Sequence, residues 1–222
     1  MIELNDISRI HRSDEVETHA LACVSLSVAK GEFAAIMGPS GCGKSSLLNI
    51  LGFLDRPSSG TYRLLGEEVS GLSEGGLTRL RRRHVGFVFQ GFNLIDDLTV
   101  AENVEVSMLY RSGNGGRGRI AEVLERVGIA HRAGHRPQQL SGGQQQRAAI
   151  ARALAADPAL ILADEPTGNL DSANGEAVMD LLKSVARAGT TVVMVTHSPF
   201  HAAAADRIVA MLDGRIVGET RL

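Results

Sequence analysis

Short runs of apolar, often β-branched residues recur along the chain and end at turn-forming or polar positions: Phe33–Met37, Val85–Phe89, Leu160–Ala163 and Thr191–Thr196. Runs of this length, separated by stretches with helical spacing, predict parallel strands covered on both faces. Ile2–Ser8 and Leu21–Val28 alternate apolar and polar positions instead and predict an antiparallel β edge. Ile208–Leu212 and Arg215–Val217 flank Asp213-Gly214, the pattern of a hairpin. Between about Gly91 and Asp157 the spacing becomes mainly helical, with candidates at Thr99–Leu109, Arg119–Val127 and Gly143–Ala155. Within it, the polar, Gly-rich Arg111–Gly118 reads as a mobile surface connection. The expectation is a single α/β domain over 1–222. Residues 1–90 and 159–222 would form a nucleotide-binding core with a parallel sheet, and 91–158 an inserted helical subdomain. Nothing in the pattern orders the strands.

Composition narrows the class. The 222 residues are 44% hydrophobic and 22% charged, enough for an ordinary core. A net charge of -2 argues against a nucleic-acid binder, and the absence of Trp, with 4% aromatics, removes the stacking platforms of a single-strand binder. Cys23 and Cys42 do not have metal-ligand spacing. The N-terminus lacks the basic-then-apolar pattern of a signal peptide, and no apolar stretch is long enough to span a bilayer. A cytoplasmic protein that meets a membrane only through a partner is expected.

The chemistry begins at Gly38-Pro39-Ser40-Gly41-Cys42-Gly43-Lys44-Ser45, which matches G-x-x-x-x-G-K-[ST] between a strand and a helix. Its glycines let backbone N–H groups turn toward phosphate oxygens, and the helix N-terminus adds a favourable dipole. Lys44 is placed to reach the β- and γ-phosphates and the Ser45 hydroxyl to ligate Mg²⁺. A Gly-rich turn before a helix is the plainer alternative. Cys42 can be read as an oxidisable thiol beside Lys44, or as a small residue where Ser would serve.

Leu160-Ile161-Leu162-Ala163-Asp164-Glu165 is an apolar strand ending in two carboxylates, which would lie next to the phosphate loop. Successive strand residues face opposite ways, so the two acids have different tasks. Asp164 suits Mg²⁺ and Glu165 suits the attacking water. In Leu140-Ser141-Gly142-Gly143-Gln144, Ser141 and Gln144 form a capping-box pattern that opens a helix. Two glycines at that helix start make a second anion site. One nucleotide does not need two such sites from one chain, so a second copy is suggested.

With these motifs in order, the chain resembles an ABC transporter nucleotide-binding domain from end to end. The resemblance implies a P-loop NTPase core of the ABC ATPase type and a head-to-tail homodimer. Each ATP would lie between one subunit's phosphate loop and the other's signature, Leu140, Ser141, Gly142, Gly143 and Gln144. It implies a phosphate-loop contact set running from Gly38, Pro39, Ser40, Gly41 and Cys42 through Gly43, Lys44 and Ser45 to Ser46. Glu165 would be the catalytic base, and His197 the switch histidine at the γ-phosphate. Gln90 would sense Mg²⁺ with Ser45 and Asp164, and the D-loop would be Gly168-Asn169-Leu170-Asp171. The family's adenine-stacking aromatic, shortly after the first strand, is replaced here by His11. Leu54–Gly60, Gly86–Leu94 and Asp164–Asp171 resemble the lipoprotein-release and macrolide-export branch. Members of that branch pair with an integral membrane permease, which implies a place on the cytoplasmic face of the inner membrane.

Arg79-Leu80-Arg81-Arg82-Arg83-His84 is the one basic run, and it reads as a solvated face more readily than as a contact for nucleic acid or lipid. Phe92, Leu94, Ile95 and Leu98 suit either a permease-docking groove or core packing. Two other readings remain. One is a soluble ABC ATPase acting on DNA or ribosomes, although no coiled-coil insertion or zinc module is present. The other is a non-hydrolysing regulator, which Glu165 and His197 oppose.

Overall fold

The computed structural model describes residues 1–12, 17–109 and 117–222. Most of the Arg111–Gly118 connection, 111–116, lies outside the described residues. The chain opens with β1 (Ile2–Arg12), β2 (Glu17–Val28), β3 (Phe33–Met37), α1 (Lys44–Leu51), β4 (Ser59–Leu64) and β5 (Glu67–Glu68). Next come α2 (Glu74–His84), β6 (Val85–Phe89), α3 (Val100–Val106), α4 (Arg117–Arg126) and α5 (Gly142–Ala155). The remainder is β7 (Leu160–Asp164), α6 (Ser172–Arg187), β8 (Thr191–Thr196), α7 (Pro199–Ala202), β9 (Arg207–Leu212) and β10 (Arg215–Arg221).

Two sheets form. One has the order β10-β9-β3-β8-β7-β6, parallel from β9 to β6, with β10 antiparallel at its edge. The other is antiparallel, β2-β1-β4-β5. The alternating segments near the N-terminus therefore build a sheet of their own rather than an edge of the parallel one. The acidic strand β7 does not pair with β3 either, because β8 runs between them.

The continuous apolar runs are explained by burial on both faces. Along β7, Leu160 and Leu162 enter the core shared with α1 and the antiparallel sheet. Ile161 and Ala163 enter the core shared with α3, α4, α5 and α6. Period-two alternation divides one strand between two cores, so neither face has room for a polar residue. The antiparallel strands offer a single apolar face to α1, which explains their alternation. At the β9–β10 hairpin, Asp213 (φ 46°) and Gly214 (φ 74°) both take the left-handed conformation that a tight two-residue turn needs.

Segment ends are set locally. Thr99 and Glu102 form a capping box, so α3 starts one residue later than the periodicity suggests. The basic run is the C-terminal half of α2, where cations complement the helix dipole. Its Arg81 reaches back to donate to the Phe53 carbonyl at 2.6 Å.

Candidate active site

Parallel pairing makes β3, β8, β7 and β6 end along one edge, with Met37 opposite Thr196, Asp164 opposite Val195 and Phe89 opposite Asp164. The residues that follow are the phosphate loop, His197, Glu165 and Gln90. Segments far apart in sequence thus meet where α/β sheets bind ligands.

The phosphate loop is braced from outside. Gly214 N–H donates to the Cys42 carbonyl at 3.0 Å, and Ala22 N–H donates to the Gly214 carbonyl at 2.9 Å. Gly43 stands at φ 98° as the N-cap of α1, where a Cβ would collide with the Ala20 carbonyl. Lys44 is buried, and its Nζ donates to the Gly38 and Pro39 carbonyls at 2.7 Å each. Cys42 is 3% exposed, and its sulfur lies 3.8 Å from Lys44 Nζ. Ser45 is exposed and Ser46 partly buried at the head of α1. His11 is exposed and lies within β1, opposite Thr18, rather than beyond the strand.

Glu165 sits just outside β7 at φ 45°, a conformation that costs a non-glycine residue about 1 kcal/mol or more. Its N–H still donates to the Val195 carbonyl at 3.0 Å, which holds the turn to β8. Glu165 Oε2 lies 2.6 Å from His197 Nδ1. An ionised carboxylate can only accept, so the imidazole donates through Nδ1–H and presents Nε2 elsewhere. Burial and the neighbouring Glu165 push the Asp164 carboxyl above the usual aspartate range, with Lys44 opposing them. Gln90 Nε2 donates to Asn169 Oδ1, and Asn169 Nδ2 donates to the Gln90 carbonyl, both at 3.1 Å.

The second glycine motif follows Leu140, which is buried, and Ser141, whose side chain accepts from Gln144 N–H at 3.4 Å. Gln144 Oε1 in turn accepts from Ser141 N–H at 3.1 Å. A Cβ on Gly143 would enter the Asn174 side chain, which Asp171 Oδ2 pins at 2.8 Å; Gly142 faces Leu170. The Asn174 backbone and side chain hold the Asp171 carboxyl below the ordinary range, and Asp171 N-caps α6.

Sequence reasoning missed Gln146. It is fully buried on α5 and donates to the Pro166 carbonyl at 2.6 Å and the Phe89 carbonyl at 3.5 Å. One amide therefore joins the signature helix to the residues just before Gln90 and just after Glu165. The signal available was spacing: Gly143, Gln146 and Ile150 lie on the buried face of α5. Gln146→Glu should lose more stability than Gln146→Leu, by about 2 kcal/mol in urea unfolding, because both lose the donor to Pro166 and the acid also buries an unpaired carboxylate. A Gln146→Leu loss below about 0.5 kcal/mol would show that this hydrogen bond does not hold the segments together.

Phe92, Leu94, Ile95 and Leu98 divide their roles: Leu94 packs on the core, whereas Ile95 is exposed. A groove of about 480 Å³ lies beside them, lined by Leu54, Arg81, Phe87, Phe89, Val106 and Arg152 among others. Phe87 and Phe89 stack 5.5 Å apart in its wall. Arg152 donates to the Phe92 and Asn93 carbonyls, and burial lowers its pKa.

Residues 21–168 match the family model described as ABC transporter. The chain is 50% identical over 223 residues to the macrolide export ATP-binding/permease protein MacB 1/2 of Paracoccus denitrificans, covering 100% of this chain and 33% of that protein. It thus spans about a third of the length of that relative. It is 49% identical over 223 residues to an uncharacterized ABC transporter ATP-binding protein of Thermotoga maritima, covering 100% and 95%. The dimeric post-hydrolysis structure of the ATP-binding cassette MJ0796 bound to ADP and Pi superposes with a TM-score of 0.91 at 45% identity, covering 100% and 99%. Among the described residues, no helix is long and apolar enough to cross a membrane.

Proposed function

The chain belongs to the ABC transporter family, and on that premise we propose that it is the ATP-hydrolysing motor subunit of a membrane transport complex. It works as a homodimer under a separate integral membrane permease, on the cytoplasmic face of the inner membrane. The observation that carries this reading is the 2.6 Å contact between Glu165 and His197 on the sheet edge that also ends in the phosphate loop.

In this reading the phosphate-loop amides and Lys44 cradle the β- and γ-phosphates of ATP, Lys44 exchanging its loop carbonyls for phosphate oxygens. Ser45, Asp164 and Gln90 would hold Mg²⁺ through hard oxygen donors. The site suits that ion, since a cation relieves the burial and Glu165 repulsion that disfavour the charged Asp164. Bound there, Mg²⁺ would neutralise charge on the phosphates. Glu165 accepts a proton from water as its oxygen attacks the γ-phosphorus, and ADP leaves. His197, oriented by Glu165, faces the γ-phosphate. The partner's Ser141–Gln144 segment closes the site as a second anion-binding helix start.

The groove beside Arg81 and Arg152 receives a helix of the permease. Its apolar wall and basic rim suit an amphipathic segment. His11 stacks on adenine with less area than a larger aromatic would offer. His11→Ala should therefore weaken ATP binding less than Lys44→Ala, and equal losses in titration calorimetry would refute that ranking.

The transport reading is tested by affinity capture from source membranes with the Glu165→Gln variant locked by ATP. Recovery of an integral permease is expected. Recovery of only DNA, ribosomes or soluble factors would overturn it and leave the ATPase assignment standing.

A further inference from the structure

His201 is a titratable side chain beside the site that the proposed mechanism leaves unused. It lies on α7, four residues beyond His197, and its N–H donates to the Ser198 hydroxyl at 3.3 Å. Its Nδ1 lies 2.8 Å from the hydroxyl of Thr167, two residues beyond Glu165. Thr167 is only 6% exposed, so its hydroxyl requires a protein partner. On the other side, a Cβ at Gly175 of α6 would stand 3.3 Å from His201 Nε2, so the ring occupies space that a glycine leaves open. Burial lowers the His201 pKa, Glu176 on α6 opposes this, and His197 adds to it. The neutral ring is therefore favoured, and one of its nitrogens can pair with the threonine hydroxyl.

Two loops are consequently tied at two points. At the tip, Glu165 meets His197. Behind it, Thr167 meets His201. The tip contact has little packing support, since the His197 side chain is 68% exposed and the Glu165 backbone is strained at φ 45°. A single contact between an exposed ring and a strained turn leaves the pair free to pivot. A second tether, to a buried hydroxyl on the same loop, fixes its direction.

We infer that His201 is a positioning residue for hydrolysis, which through Thr167 holds the His197-bearing turn at the angle that keeps His197 on Glu165. The inference rests on the proposed roles of Glu165 and His197, and it adds a residue that acts through Thr167.

The test compares His201→Ala, His201→Gln, Thr167→Val and the Ala/Val double variant in the full chain, measuring kcat, ATP KM and Tm. Misplacement of a catalytic group is expected to lower kcat on the order of 10-fold in His201→Ala, with KM within about twofold of the parent. Thr167→Val should lose a similar factor, and the double variant no more than either single change, because both remove one contact. Glutamine, whose amide can also pair with the hydroxyl, should restore most of the loss. An unchanged kcat in His201→Ala, multiplicative losses in the double variant, or a kcat loss that only follows a fall in Tm would overturn the inference. Glu165→Gln, run alongside, separates the two readings. If it is inactive while His201→Ala turns over normally, only the His201 role fails; if it turns over normally, the assignment of the base fails first.

Discussion

Glu165→Gln is expected to cut steady-state ATP turnover by about 10²–10⁴-fold while ATP binding is retained, since general-base catalysis contributes about that much. The substitution removes one capacity and keeps the rest. Glutamine has the same length, and its amide oxygen can accept the Nδ1–H that His197 now gives to Oε2 at 2.6 Å. It meets the same backbone requirement at φ 45° as glutamate does. What it cannot do is take a proton from water. ATP and the closed homodimer should then accumulate, because the step that discharges them is the one removed. Phosphate release measured beside light scattering in Mg²⁺ and ATP gives both readouts. Undiminished turnover would move the base elsewhere, and lost turnover without dimer accumulation would count against the two-copy site.

The placement of the candidate site was legible because its motifs are written in contiguous residues. Gly38–Ser45, Asp164-Glu165 and Ser141–Gln144 each state a local geometry that a short motif can carry, and each lies at a strand end or helix start. Strand order was not legible, because β3 pairs with strands far along the chain, Phe33 with Val192 and Ala34 with Arg207. Periodicity gives β3 and β7 the same apolar character without saying that β8 runs between them. The separate antiparallel sheet was hidden for the same reason, since alternation reports one buried face but not what covers it. Gln146 was obscured by its neighbours. In Gln144-Gln145-Gln146-Arg147 the polar run suggests a wet surface, whereas the helical phase turns the third glutamine inward. His201 belongs to no motif and Thr167 lies inside Asp164–Asp171, and only the packing of α7 against the loop after β7 brings them together.

Arg207→Ala is expected to destabilise the fold by roughly 3 kcal/mol, the cost of breaking a buried ion pair by removing one partner. Arg207 opens β9 and is 5% exposed. Its Nε donates to Glu32 at 2.7 Å, one terminal nitrogen to Glu219 at 2.7 Å, and the other to the Ser27 carbonyl. Burial works against its charge, and the hydrogen bonds it donates to Glu219 and Glu32 outweigh it, so its pKa is raised. One guanidinium thus fastens the ends of β2 and β10 to the turn that leads into β3, the strand feeding the phosphate loop. Alanine would leave the mostly buried Glu32 carboxylate, its side chain 17% exposed, without a counter-charge. For a domain of this size the loss corresponds to a fall in Tm of about 10 °C. Glu219, at 40% exposure, can turn to water and should matter less. Replacing both members of the inner pair, as in Arg207→Met with Glu32→Gln, should recover more than half of the loss, since the stranded charge is gone. Turnover per folded molecule should stay near the parent, because Arg207 lies away from the strand ends that carry the chemistry. A loss below about 1 kcal/mol in Arg207→Ala, or no recovery in the double variant, would show that the three-way contact does not anchor the β3 edge.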